Sequence, residues 1–194
     1  MGWPRLNWSR VAGNVSRPSQ VVVLAEDQRH QRFVRRLLYR KGFKPHQIRM
    51  EPLPSGRGCG EQWVRDRYTA SVHAYRARSA KAESGLIIVI DADTGLVNKR
   101  RLQFQNALSL HGLEDRRDDE AIAHLIPKRQ IETWILHLTG TLVDEDTDYH
   151  NSPEVDRETG SAADAFFNLI NMTTIPTSTL ESVVLPISEA RPLG

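Results

Sequence analysis

Two short apolar runs constrain this chain more than anything else in it. Val21-Val22-Val23-Leu24-Ala25 ends on Glu26, and Leu86-Ile87-Ile88-Val89-Ile90 ends on Asp91-Ala92-Asp93. Both are mostly β-branched and show no polar alternation, the pattern of strands buried on both faces. A helical pattern follows each. Such strands belong to an open parallel α/β sheet, which binds ligands outside the carboxyl ends of its strands. If the two strands are neighbours, three carboxylates meet at one edge. Residues i and i+2 of an extended segment face the same side, so Asp91 and Asp93 are expected to share one ion. Carboxylates that close repel each other and need a cation. An oxygen-rich cluster suits Mg²⁺ or Mn²⁺.

The rest of the chain continues the alternation. A strand at 20–25 precedes a helix at 27–41, in which Phe33, Val34, Leu37 and Leu38 hold the helical spacing before Gly42. Residues 48–53 read as a second, short edge strand, limited by Pro52 and Pro54. Residues 55–60 form a Gly-rich loop without the Lys-Ser/Thr of a P-loop. Helices are expected at 61–80, 98–111 and 129–139, with strands at 86–90 and 121–126. The order β-α-β-α-β-α-β-α predicts a three-layer, mostly parallel α/β domain over 20–140. Residues 1–19 read as a basic leader carrying Trp3 and Trp8. Residues 141–194 read as an acidic loop with a small helical extension: a helix near 161–170 and an apolar helix or strand near 180–187.

Charge is unevenly divided. Residues 1–90 hold 17 Lys/Arg against 6 Asp/Glu, net +11; residues 91–194 hold 9 against 18, net −9. A basic half beside an acidic metal site suits a polyanionic substrate, with basic groups holding phosphates while the metal acts on one. Arg29, Arg32 and Arg36 on the first helix and Arg57 in the Gly-rich loop are the candidate backbone contacts. A plainly solvated basic helix face, balanced by an acidic C-terminal segment, is the other reading.

Composition excludes several classes. No apolar run approaches the roughly 18–20 residues that span a bilayer. Residues 1–20 have no apolar signal segment, so a cytoplasmic protein is the simplest reading. Cys59 is the single cysteine, which rules out an intramolecular disulfide and a multi-cysteine zinc site. The scattered histidines lack zinc-ligand spacing.

The order Glu26 first, Asp91-x-Asp93 after one intervening β-α unit, resembles the TOPRIM domain of topoisomerases, primases and related nucleases. That family places one Glu after its first strand and Asp-x-Asp after its third. The resemblance covers about residues 20–140 and is closest to small TOPRIM-type proteins and OLD-family nucleases of prokaryotic defence systems. It implies an Mg²⁺- or Mn²⁺-dependent nuclease that cleaves DNA or RNA and works with an ATPase partner; a homo-oligomer stays open. It implies metal binding by Asp91 and Asp93, with Glu26 as acid/base or third ligand.

The segment Ile126-Pro127-Lys128 through Glu132-Thr133-Trp134 is similar to a Pro-then-Glu-x-Trp block in some of those proteins. By that likeness Lys128 stabilises the phosphate and Glu132 joins a second metal. Four residues apart, the two are expected on one helical face, as a site or as a plain salt bridge. One departure stands out: OLD-type nucleases carry a second acid four residues after the Glu, and here that residue is His30, a replacement ligand or a solvent-exposed histidine. The usual glycine after the Glu is Asp27.

Other readings stay open. Asp91-Ala92-Asp93-Thr94 also resembles the first motif of haloacid-dehalogenase-type phosphatases, with Asp91 as nucleophile, Asp93 as general acid and Asp118-Asp119 as the downstream acidic pair; Glu26 then has no role. A nucleotide-sugar transferase would use the same Asp-x-Asp for its metal. A non-catalytic subunit would keep the carboxylates only to bind a metal-nucleotide or a partner.

Overall fold

Asp27 decides where the first helix begins. In the computed structural model, which describes residues 17–55, 59–79, 83–93 and 95–193, its carboxylate accepts the backbone N–H groups of Arg29 (2.8 Å) and His30 (2.9 Å), satisfying two otherwise orphaned donors. Helix α1 (Gln28–Arg40) follows, burying His30, Phe33, Val34, Leu37 and Leu38 on one face. It ends where Gly42 adopts φ +83° and the Phe43 N–H reaches back to the Leu38 carbonyl at 2.9 Å.

Four strands form one all-parallel sheet: β1 (Gln20–Ala25), β2 (Ile48–Met50), β3 (Ser84–Val89) and β4 (Ile122–Leu125), in the order β2-β1-β3-β4. Val21 pairs with Ile48 on one side of β1, and Ala25 with Val89 on the other. β2 is a three-residue edge strand that stops before Pro52. The chain leaves β1 toward one edge and β3 toward the other, so the topological switch point lies between β1 and β3. Helices α2 (Gly60–Ser79) and α3 (Val97–Leu110) pack together, with α2 over β3 and β1. Across the sheet, α1, α4 (Ile131–Leu138) and α5 (Val155–Asn171) form the opposite layer. This is a three-layer α/β fold of the Rossmann-like kind.

The segment that reads as an extension is built into the body. Helix α5 starts six residues before its expected position. Asp156 and Glu158, which look like loop residues, occupy its first turn, where negative charge meets the helix dipole favourably. Its Phe166 ring stacks on Trp134 at 5.7 Å and meets Phe33 at 5.8 Å, joining α1, α4 and α5. The last element is a helix, α6 (Glu181–Ala190), lying along β4.

There Glu189 accepts the His124 backbone N–H at 2.8 Å, while Arg116 donates to the Ile122 carbonyl at 2.7 Å. Side chains thus satisfy the outer edge of β4, which would otherwise pair with another chain. The leader expectation for residues 1–16, with Trp3 and Trp8, lies outside the described residues. Arg17 already packs, its guanidinium over the Phe43 ring at 4.3 Å. Among the described residues no helix is long and apolar enough to cross a membrane.

Glu189 carries a pH dependence. Burial alone would raise its pKa, but the His124 hydrogen bond and charge, then Arg101, hold it down to about 2, from an ordinary 4.5. A depressed carboxyl stabilises the fold above its unfolded pKa and loses that contribution as pH falls through the folded one. The full contribution is about 3 kcal/mol. Denaturant melts at pH 5 and pH 2.5 are expected to show a smaller acid loss for Glu189→Gln than for the wild type. Equal losses would remove Glu189 from this account.

Candidate metal centre

Because β1 and β3 are adjacent and in register, the residues just past their ends meet. Glu26 extends the ladder, its N–H donating to Val89 O at 3.2 Å, and its Oε2 accepts the Asp91 N–H at 3.0 Å. Helix α1 leaves from the same edge and its first turn brings in His30. The His30 Nε2 lies 3.0 Å from Asp91 Oδ1, and its Nδ1 lies 2.8 Å from Asp27 Oδ1. Glu26, His30 and Asp91 each offer a ligand atom, all within 4.8 Å of one another. They sit at the carboxyl ends of the strands flanking the switch point, where open α/β sheets bind ligands.

His30 is fully buried rather than solvent-exposed. Asp27 does two things: it caps α1 and it holds Nδ1, which turns Nε2 toward the carboxylates. A carboxylate behind a ligating histidine is a recurrent arrangement that fixes ring orientation. Local sequence gave one hint of this, the Asp27/His30 i,i+3 spacing across a helix start. Its buried partner Asp91 lies 61 residues away.

The electrostatics are those of a crowded acidic pocket. Burial first, then the Asp91 charge, pushes the Glu26 carboxyl up to about 7. Burial also raises Asp91, against the pull of His30. For His30, burial opposes the charged form, but Asp91 and Asp27 outweigh it and raise the pKa well above the ordinary value. Burial opposes Asp27 as well, yet the hydrogen bond from His30 holds it far below the usual carboxylate range. A proton on His30 and a divalent ion are alternative sources of the positive charge this cluster requires, because an ion held by Nε2 would displace the proton there.

Asp93 does not join the cluster. The chain turns after Asp91: Asp93 has φ +54° and the Gly95 N–H closes onto Ala92 O at 2.9 Å. The i,i+2 rule assumes an extended backbone, and that assumption fails here. The Asp93 side chain is 58% exposed and pairs with Arg100 at 3.3 Å.

Glu132 is buried in the first turn of α4, bound by the Arg29 guanidinium and by His150 Nδ1 at 3.2 Å. Lys128 precedes α4, which begins only at Ile131, so the shared helical face is absent. Its ammonium instead pairs with Asp146 at 2.8 Å, which raises its pKa. The Asp118-Asp119 pair precedes β4 and so lies at the amino end of the sheet, away from Asp91.

The basic face of α1 is solvated, but its candidate phosphate contacts are paired with acids. Arg29 and Arg32 pair with Asp156 at 3.3 and 2.6 Å, and Arg36 forks onto Asp164 at 2.7 and 2.6 Å. The charge asymmetry of the chain thus closes on itself between α1 and α5. Arg57 lies outside the described residues.

A cavity of about 610 Å³ opens beside Glu26, walled by Arg29, Arg32, Leu53, Pro54, His150 and Asp156 among others. Gly60 explains part of the Gly-rich loop. A Cβ there would stand 2.3 Å from the Glu26 carbonyl oxygen and 2.8 Å from its Cγ. Only glycine lets the start of α2 approach Glu26 this closely. Gly60→Ala is expected to cost about 1–3 kcal/mol and to weaken divalent-metal binding, read by thermal denaturation and calorimetric titration with Mn²⁺.

No family model matches this chain, and no curated protein and no solved structure matches it.

Proposed function

We propose that this protein is a metal-dependent nuclease that hydrolyses nucleic-acid phosphodiesters, with a TOPRIM-like placement of its site. The observation that carries the reading is the convergence of Glu26, His30 and Asp91 at the switch point of a parallel sheet. The residues fit a divalent ion. Two ligands at about 2.1 Å from one ion lie up to about 4.2 Å apart, so the 4.8 Å span needs only small side-chain adjustments. Two carboxylates and an imidazole suit Mn²⁺ better than Mg²⁺, which prefers an all-oxygen shell.

Glu26, His30 and Asp91 would hold the ion, and Asp27 would orient His30. Bound there, a divalent ion polarises a phosphoryl oxygen and lowers the pKa of water. The 610 Å³ cavity beside Glu26 supplies room for the phosphodiester. Glu132, already bound by Arg29 and His150, is a poor second metal ligand, so one metal is the reading. The position of Asp118-Asp119 at the opposite end of the sheet weighs against the phosphatase alternative.

The test is cleavage of single- and double-stranded DNA and RNA in Mn²⁺ and Mg²⁺. Expected are stronger cleavage in Mn²⁺ and its loss in Glu26→Gln. A non-catalytic subunit would bind the metal and cleave nothing. The ATPase partner implied by the resemblance belongs to the same proposal. Size-exclusion chromatography of the chain expressed alone and beside its genomic neighbour checks it, and a fully active lone monomer would contradict it.

A further inference from the structure

The arginines that make α1 look like a phosphate track are bound to acids. Which cations remain for a polyanion is therefore decided elsewhere, on the α2 side of the sheet. Arg67 and Arg78 are exposed on α2, and among the described residues neither pairs with a carboxylate. Arg67 instead lies over the Trp63 ring at 4.9 Å.

These residues line cavities that share walls, in succession, with the one at the metal centre. Leu53 and Pro54 wall the cavity beside Glu26, and the same two residues wall the next one, of about 520 Å³, which Trp63 and Arg67 line. Arg67 also lines a third, of about 170 Å³, together with Arg49, Arg78 and Ser84. The third cavity has a simple origin. β2 is three residues long and α2 packs over β3 and β1, so the sheet face beyond β1 stays uncovered.

Ser84 is one of the lining residues of this third cavity.

We infer that a single nucleic-acid strand runs along this groove, from the metal centre past Trp63 and Arg67 to the Arg49–Arg78–Ser84 cavity. The inference rests on the nuclease reading and names the form of its substrate. Guanidinium groups track phosphates, an indole offers a face on which a base stacks, and this pairing is how single strands are held without sequence preference. The recess beyond β1, of about 170 Å³, is small beside a nucleic-acid duplex. Arg49 pairs with Glu51 at 2.9 Å and, like the paired arginines of α1, is not counted among the phosphate contacts.

The experiment is fluorescence anisotropy of labelled single-stranded DNA and RNA, and of the matching duplex, in EDTA so that nothing is cleaved. The wild type is expected to prefer single strands. The double variant Arg67→Ala/Arg78→Ala is expected to bind on the order of tenfold more weakly, with a salt slope shallower by about 1.4 for two lost phosphate contacts. Arg35→Ala, an exposed arginine on α1 across the sheet, should change neither. All three arginines are on the surface, so folding is preserved, and circular dichroism melts verify it.

The groove is overturned if the double variant binds as tightly as wild type, if Arg35→Ala weakens binding equally, if the duplex is preferred, or if no strand binds. The two readings fail separately. Strand binding that needs Arg67 and Arg78 without any metal-dependent cleavage removes the nuclease and leaves the groove. Glu26-dependent cleavage with unchanged binding in the double variant does the reverse.

Discussion

Asp91→Asn is expected to abolish tight Mn²⁺ binding and to lower phosphodiester cleavage on the order of a thousand-fold, the several kcal/mol a metal contributes to such a transition state. The substitution is nearly isosteric. Its amide oxygen still accepts from His30, and its backbone N–H still donates to Glu26, so the strand ends stay in place. Only the charge is lost. Asp93→Asn is the informative companion. Asp93 is exposed, outside the three-ligand cluster and tied to Arg100, so a much smaller loss is expected. Equal losses would argue for a centre built on the Asp-x-Asp motif. Calorimetric Mn²⁺ titration and cleavage assays on both variants decide it.

Trp134→Ala is expected to be the most destabilising single change, at about 3–5 kcal/mol. The indole is fully buried, stacks on Phe166, meets Phe33 edge-on at 6.4 Å and donates from Nε1 to Ser182 Oγ at 2.7 Å. It therefore joins α1, α4, α5 and α6. Removing it leaves a cavity and an unpartnered hydroxyl at once. Typical domains are stable by only about 5–15 kcal/mol, so a large fall in melting temperature should accompany the change. Chemical denaturation measures it, and a loss under 1 kcal/mol would mean that α5 and α6 are only loosely attached.

Much of the sheet was legible because its signals are local. The apolar runs at β1, β3 and β4 are read from side-chain chemistry alone, and the helical spacing of Phe33, Val34, Leu37 and Leu38 placed α1 within a residue. The metal centre was legible only in part. Glu26 and Asp91 follow from strand ends, which the sequence marks. The turn that breaks the extended backbone at Asp93 is held by hydrogen bonds to another segment, Ala92 N–H to Pro127 O and Asp93 N–H to Arg129 O. No periodicity encodes that. The buried partner of His30, Asp91, is likewise 61 residues distant.

Charge was the least legible property. The arginines of α1 look like a surface for a polyanion, and Asp156 and Asp164 look like solvent-facing residues of a separate segment. Their pairing spans more than 120 residues. Lys128 illustrates the same limit at short range. An i,i+4 pair shares a face only inside a helix, and Gln130 holds the N-cap position of α4, so Lys128 stays outside it and pairs with Asp146 of the acidic loop.

The most direct measurement is an anomalous difference map from crystals soaked in Mn²⁺. The proposed centre predicts one peak bonded to Glu26, Asp91 and the Nε2 of His30, with the His30–Asp27 contact intact behind it. A peak held by Asp91 and Asp93 without His30, or no peak between the β1 and β3 ends, would contradict it.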